Sequence, residues 1–259
     1  MQELVLITGA SAGLGAEMAR ALAARKFNLV LVARNQGKLE ALKNELQSKY
    51  GIQVNIIVKD LTIMDQVIGL YQDVKSMDLE VTMLVNNAGV GVYGNFEETA
   101  LEEELNMIDL NISALVALSK LFLQDMLKRN HGSILNIGSI LSFLPFPYYS
   151  VYSSTKAFVL FFSETLQAEL EHTNIRVSAF CPGPIDTGFT TPEMFRTNAY
   201  KANKPVDPKQ LAQKAVQHLL SGKGTKIPGF NNWFIANTPR FSPRWLTLKI
   251  TKFLASRAK

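Results

Sequence analysis

Ser139, Tyr152 and Lys156 are the side chains whose types and spacing could do chemistry together. Tyr152 and Lys156 stand four residues apart, so a helix would put them on one face. A phenol beside an ammonium can donate a proton near neutrality, because the cation favours the phenolate and lowers the tyrosine pKa. A serine hydroxyl within reach could hold a carbonyl or alcohol oxygen against that phenol. The Tyr-x-x-x-Lys spacing recurs at Tyr71–Lys75 and Tyr200–Lys204. Only the middle copy follows an apolar strand with a terminal serine, so the others read as solvated helix or loop residues.

The elements that must position this group surround the run from Asn136 to Lys156, which reads as a strand end, a polar and aromatic crossing loop, and a helix start. Leu4–Thr8 is a short apolar run of the kind a central parallel strand requires. TGASAGLG follows, then a helix-forming run from Ala16. A glycine turn between strand and helix brings a phosphate close to backbone N–H groups and to the helix N-terminus. Gly9, Ser11, Gly13, Leu14 and Gly15 are therefore the candidate phosphate cradle. The rival reading is a tight turn whose glycines serve packing alone. A literal G-x-G-x-x-G at Gly89, Gly91 and Gly94 has no helix directly after it, and reads as a flexible loop beyond the fourth strand.

Asn28–Ala33 is the second strand, and Arg34 follows it. An acid near this point would bind a ribose 2′-hydroxyl, whereas an arginine accommodates a 2′-phosphate. No Asp or Glu lies between Glu17 and Glu40, so Arg34 and Asn35 point to NADP(H) rather than to a bland surface position. Further strands are expected at Ile52–Val58, Val81–Val85, Ser133–Ile137, Ile175–Phe180 and Lys226–Ile227, with helices over Gly37–Tyr50, from about Met64, over Leu101–Arg129 and over Pro208–Ser221. The whole chain, 1–259, is expected to form one α/β domain, a doubly wound parallel sheet of about seven strands with helices on both faces.

In order and spacing these motifs resemble the short-chain dehydrogenase/reductase family from Thr8 to Thr187, with thirteen residues from Ser139 to Tyr152. The resemblance implies hydride transfer between NADP(H) and a carbonyl or alcohol, with Tyr152 as general acid/base, Lys156 beside it and Ser139 orienting the oxygen. It gives Asn111 a supporting catalytic role, through a helix kink that holds a water, with a buried Asn satisfied by structure alone as the rival reading. It places Asp60 and Leu61 by the adenine, although an N-cap for the following helix is the rival reading of Asp60. It places Asn87, Ala88 and Gly89 along the cofactor, and Pro182, Gly183, Ile185 and Thr187 at the nicotinamide. It makes 188–208 a substrate lid, and it implies a homodimer or homotetramer. Phe158, Phe161, Phe162 and Leu166 then read as helix-packing or subunit-interface residues.

Leu141, Phe146 and Tyr149 suggest an apolar, aromatic pocket wall, favouring a hydrophobic ketone or aldehyde over a sugar. Two other classes compete: a catalytically idle NADPH sensor, and a membrane-surface scaffold.

Composition narrows the field. A hydrophobic fraction of 47% is ample for a core. The single Cys181 excludes an internal disulfide, fits a reducing compartment, and reads as a small core residue. His131, His172 and His218 have no metal-ligand spacing and read as solvent-facing, so no metal is expected. The run from Met1 into the first strand is expected to leave no room for a signal peptide, and no apolar run is expected to approach the ~18 residues of a membrane span. A cytoplasmic location is expected, at most peripheral to a membrane. From Arg240 to Lys259 there are six basic and no acidic residues, while the remainder is near neutral, which argues against nucleic-acid binding. In the tail, 243–259, Trp245, Leu246, Leu248, Ile250, Phe253 and Leu254 interleave with Lys249, Lys252 and Arg257. That helix could lie on anionic lipid, or cover a neighbouring subunit or the substrate pocket, and packing on protein is favoured.

Overall fold

The computed structural model describes residues 3–188 and 192–256. Seven strands form one all-parallel sheet in the order β3-β2-β1-β4-β5-β6-β7. They are β1 (Leu4–Thr8), β2 (Asn28–Ala33), β3 (Val54–Val58), β4 (Met83–Asn86), β5 (Gly132–Ile137), β6 (Ile175–Phe180) and β7 (Gly224–Lys226). Their near-continuous apolar sequences follow from burial on both faces. In β1, Val5 and Ile7 enter one core layer, and Leu4 and Leu6 enter the other.

The first layer is closed by α1 (Gly13–Ala23), α2 (Gln36–Tyr50) and α9 (Pro208–Ser221). The second is closed by α3 (Met64–Ser76) and α5 (Ala114–Arg129), while α6 (Ser150–Glu169) runs along β6. Strand order reverses between β1 and β4, and a ligand crevice opens at the carboxyl ends of strands at such a point.

Several expectations need correction. The helix over 101–129 is interrupted: α4 (Leu101–Ile108) passes through a π-helical turn, Asp109–Ser113, before α5. By length and mean hydropathy, 1.4, this run does match a membrane span. Its Ala114, Leu118, Phe122 and Met126 pack into the sheet's second layer, as a core helix does. His218 is buried rather than solvent-facing, and its Nε2 donates to Gly224 O at 3.1 Å, closing the turn into β7. That strand ends at Lys226 instead of beginning there. Tyr71 and Lys75 are not simply solvated, since both bind Asp125 and tie α3 to α5.

After β6 the chain forms α7 (Pro192–Phe195) and α8 (Asn198–Ala202) within the expected lid, of which 189–191 lie outside the described residues. Asp207 caps α9 by accepting from Lys209 N. Two further helices, α10 (Phe230–Asn237) and α11 (Arg244–Ala255), complete the described chain, with Arg257 beyond it.

Candidate active site

β5 ends at Ile137, and Ser139 caps the 3₁₀ turn Ile140–Phe143. Its Oγ accepts from Leu141 N, and its N–H donates to Ser142 Oγ, both at 3.1 Å, which fixes the hydroxyl. That hydroxyl hydrogen-bonds the Tyr152 phenol. Tyr152 lies in the first turn of α6 and Lys156 one turn on, on the same face, with Lys156 Nζ 5.8 Å from the Tyr152 ring centroid. Both are buried, and Lys156 Nζ donates to Ile137 O at 2.9 Å. The structure thus brings the three residues together.

The electrostatics differ from expectation. Burial pushes the Tyr152 phenol up to about 12, and the Ser139 hydrogen bond recovers only part of that shift. The Lys156 ammonium, 5.8 Å from the ring centroid and hydrogen-bonded to the Ile137 carbonyl, does not offset the burial of the neutral phenol. Burial lowers Lys156 to about 8. Tyr152 is therefore a neutral proton donor across the physiological range, and Lys156 is charged below about 8. Cys181 is buried with Leu160 and Ala179, and burial raises its thiol to about 12, so it is an inert core thiol.

Asn111 sits at the centre of the π turn and is buried. Its amide bonds Val90 twice and donates to Thr155 Oγ1 at 3.1 Å. The loop beyond β4 is accordingly held rather than flexible: Gly94 N donates to Tyr148 O, and Tyr93 Oη to Ala255 O.

At the switch point, Gly9 (φ 65°) and Gly13 (φ 55°) take the left-handed conformation that glycine alone adopts readily. A Cβ on Gly15 would lie 2.4 Å from Gly9 O and 2.6 Å from Asn87 Nδ2. Asn87 Nδ2 donates to Thr8 O at 2.9 Å, and the N–H groups of Asn87 and Ala88 donate to Thr8 Oγ1. These bonds join β1 to β4 where backbone pairing ends. Among the described residues no side chain caps α1, so its N-terminus keeps donors for an anion. This cradle fits a dinucleotide phosphate, with Ser11 and Leu14 on it. Thr187 lies against Gly13, closing the crevice from the β6 side.

Arg34 is largely exposed and pairs with Asp60 at 3.6 Å, so an acid reaches it from the end of β3 that local sequence did not reveal. Asp60 accepts from Thr62 N and Thr62 Oγ1 and does not cap α3, whose N-cap is Ile63. The Asn35 side chain caps α2 by accepting from Lys38 N. Leu61 is buried in the second core layer. Gly89 lies beside Asn111 and Lys156. Pro182 O accepts from Ile140 N at 2.8 Å, joining the Pro182-Gly183 turn to the Ser139 loop, and Ile185 pairs with Val206.

Leu141, Phe146 and Tyr149 share one apolar cluster with Tyr152. The Tyr149 and Tyr152 rings are 5.2 Å apart. Sequence reasoning missed Val90, Tyr93, Met194 and Ile235 on this wall, while Leu254 and Ala255 join it from the tail, for which pocket cover was one of the readings. The apolar residues of the 89–94 loop were the available signal for the first two.

This is the architecture of a dinucleotide-dependent oxidoreductase. A family model described as short chain dehydrogenase matches residues 3–196. The chain belongs to the short-chain dehydrogenase/reductase family, oxidoreductases that act on CH–OH or carbonyl groups, typically with NAD(P)(H). It is 32% identical over 257 residues to a very-long-chain 3-oxoacyl-CoA reductase of Phaeosphaeria nodorum, covering 98% of this chain and 72% of that one. It is 36% identical over 194 residues to human 17-beta-hydroxysteroid dehydrogenase type 3, covering 73% of this chain and 61% of that one. A short-chain dehydrogenase from Sphingobium yanoikuyae, solved with NADPH, superposes with a TM-score of 0.80 at 31% identity, over 92% of this chain and 93% of that one.

Proposed function

We propose that this protein reduces bulky, apolar ketones with NADPH. The observation that carries the reading is the Ser139–Tyr152–Lys156 group, whose Tyr152 packs within an aromatic and aliphatic cluster. A carbonyl oxygen held by Ser139 Oγ and Tyr152 Oη would receive the phenolic proton as negative charge develops on it. Because burial keeps Tyr152 protonated, the donor is in the correct state at neutral pH. The Lys156 ammonium, one turn away, would favour the phenolate left behind. Asn111 would act through position, holding the loop after β4 against α6.

NADPH supplies the hydride when bound. Gly9, Ser11, Gly13, Leu14 and Gly15 would hold its pyrophosphate, Asn87, Ala88 and Gly89 its middle, and Pro182, Gly183, Ile185 and Thr187 its nicotinamide end. Arg34 would take the 2′-phosphate, with Asn35 and the Asp60-Leu61 pair nearby. The Arg34–Asp60 pair does not oppose this reading strongly. Exposed ion pairs contribute only ~0–1 kcal/mol, and a phosphate offers a guanidinium a stronger bidentate partner. The NADPH-bound structural relative supports the same preference.

The wall favours an apolar substrate, and the names of the similar 3-oxoacyl-CoA and 17-beta-hydroxysteroid enzymes agree. The segment 188–208 would serve as its lid. Exposed Phe158 and Phe161 on α6 offer a face for a second copy of this chain. The test is NADPH oxidation with 3-oxoacyl thioesters of rising chain length, a steroid ketone and a ketose. Rising kcat/KM with apolar size is expected. A preference for the ketose, or no turnover with any ketone, would contradict the proposal.

A further inference from the structure

We propose that the outer faces of α10 and α11 dock on an anionic lipid surface. Six aromatic side chains stand out from the end of the chain: Phe230 (77% exposed), Trp233 (51%), Phe234 (61%), Phe241 (88%), Trp245 (66%) and Phe253 (66%). Residues this large and apolar are normally inside, and several so close in sequence mark an interaction surface. On α10, Phe230, Trp233 and Phe234 share one face at i, i+3 and i+4, with the Phe230 and Trp233 rings stacked 6.3 Å apart. On α11, Trp245, Lys249, Lys252 and Phe253 form the arc opposite buried Thr247, Thr251 and Ala255.

Charge selects the occupant. Exposed Arg240, Arg244, Lys249 and Lys252 lie among these aromatics, and residues 229–256 contain no Asp or Glu. An isologous pairing of two copies would set this cationic face against itself, which like charges oppose. An anionic bilayer satisfies both features, taking aromatic rings at the headgroup level and cations at its surface.

The inner side of the same helix closes the substrate wall. Tyr93 Oη donates to Ala255 O at 2.6 Å, while Asn198 of α8 donates from N to Ser256 O and from Nδ2 to Phe253 O. Docking would therefore bring the pocket to the bilayer and let an apolar substrate reach it without crossing water. That delivery role rests on the reductase reading, whereas the docking does not.

The test is sedimentation of the full chain with vesicles of phosphatidylcholine alone, or of phosphatidylcholine with phosphatidylserine. NADPH-dependent turnover of a water-soluble ketone and the oligomeric state are measured on the same samples. Binding to the anionic vesicles is expected, weakening as salt rises. F241E/W245E should lose about tenfold or more of that binding with soluble-ketone turnover unchanged. K249E/K252E keeps the aromatics and should lose about fivefold per residue. Absence of anionic-vesicle binding by the wild-type chain, or wild-type binding by both variants, would overturn the proposal. So would a change of oligomeric state in F241E/W245E without vesicle binding, which would assign the face to a second copy. Vesicle binding without turnover of any ketone would leave docking standing and remove only the reductase reading.

Discussion

Asn111 and Val90 exchange two hydrogen bonds, Val90 N–H to Asn111 Oδ1 and Asn111 Nδ2 to Val90 O, each at 3.0 Å. A side-chain amide thus stands in for a neighbouring strand at the end of β4. Its third bond, to Thr155 Oγ1, reaches the turn of α6 between Tyr152 and Lys156, where Thr155 Oγ1 in turn donates to Tyr152 O. N111L keeps the branched shape of the side chain and takes the half-buried Val90 N–H and C=O from their amide partner. It should cost about 1–3 kcal/mol of stability and weaken NADPH binding. Thermal unfolding and a cofactor titration check this, and wild-type values in both would contradict it.

The pH dependence follows from burial. Lys156 titrates near 8, below its ordinary 10.5, and Tyr152 near 12. Reduction requires the phenol protonated, which holds throughout, and the ammonium charged, which fails as pH rises through about 8. kcat/KM for reduction should fall above that point with the slope of one proton, and a flat profile to about pH 10 would contradict it. Stability carries the opposite sign. Between 8 and 10.5 the unfolded chain binds the extra proton, so wild type should gain stability relative to K156M as pH rises there. Denaturant midpoints across that window measure the difference.

Arg34 should set cofactor choice. R34A is expected to weaken NADPH binding about tenfold or more, the range of a lost charge-assisted bond, ~1.5–3 kcal/mol, and to leave NADH binding unchanged. D60N frees Arg34 from its 3.6 Å partner and should tighten NADPH. Isothermal titration of both cofactors separates these outcomes, and equal losses for the two cofactors in R34A would reject the assignment.

Gly15 permits no side chain. The alanine methyl of G15A would meet the Gly9 carbonyl at 2.4 Å, backbone that cannot step aside cheaply, so both stability and NADPH affinity should fall. G188A meets nothing within 4 Å among the described residues and serves as the control. Cofactor binding by G15A at the level of G188A would show that the cradle is not where NADPH sits.

The sheet was legible because its strands announce themselves: LVLIT and NLVLVA are apolar throughout, as double-sided burial requires. The Ser139–Tyr152–Lys156 group was legible because a strand end and one helical turn fix it locally. Long-range pairing was less legible. Asp60 reaches Arg34 across two strands, and Ala255 reaches Tyr93 across 162 positions, with no local pattern to report either. The Tyr152 phenol was misjudged for a related reason. Helical spacing gave the distance to Lys156 but not the burial that dominates the titration, nor the Ile137 carbonyl that takes the ammonium. His218 was misread because its partner, Gly224 O, lies in a turn whose geometry the sequence leaves open.

The most direct test removes one oxygen. Y152F deletes the phenolic hydroxyl and leaves the ring in its aromatic cluster. NADPH titration and ketone turnover are measured side by side on wild type and variant. Near-normal NADPH affinity with turnover reduced to background would establish Tyr152 as the proton donor. Turnover close to wild type in Y152F would contradict that role and the reductase mechanism built on it.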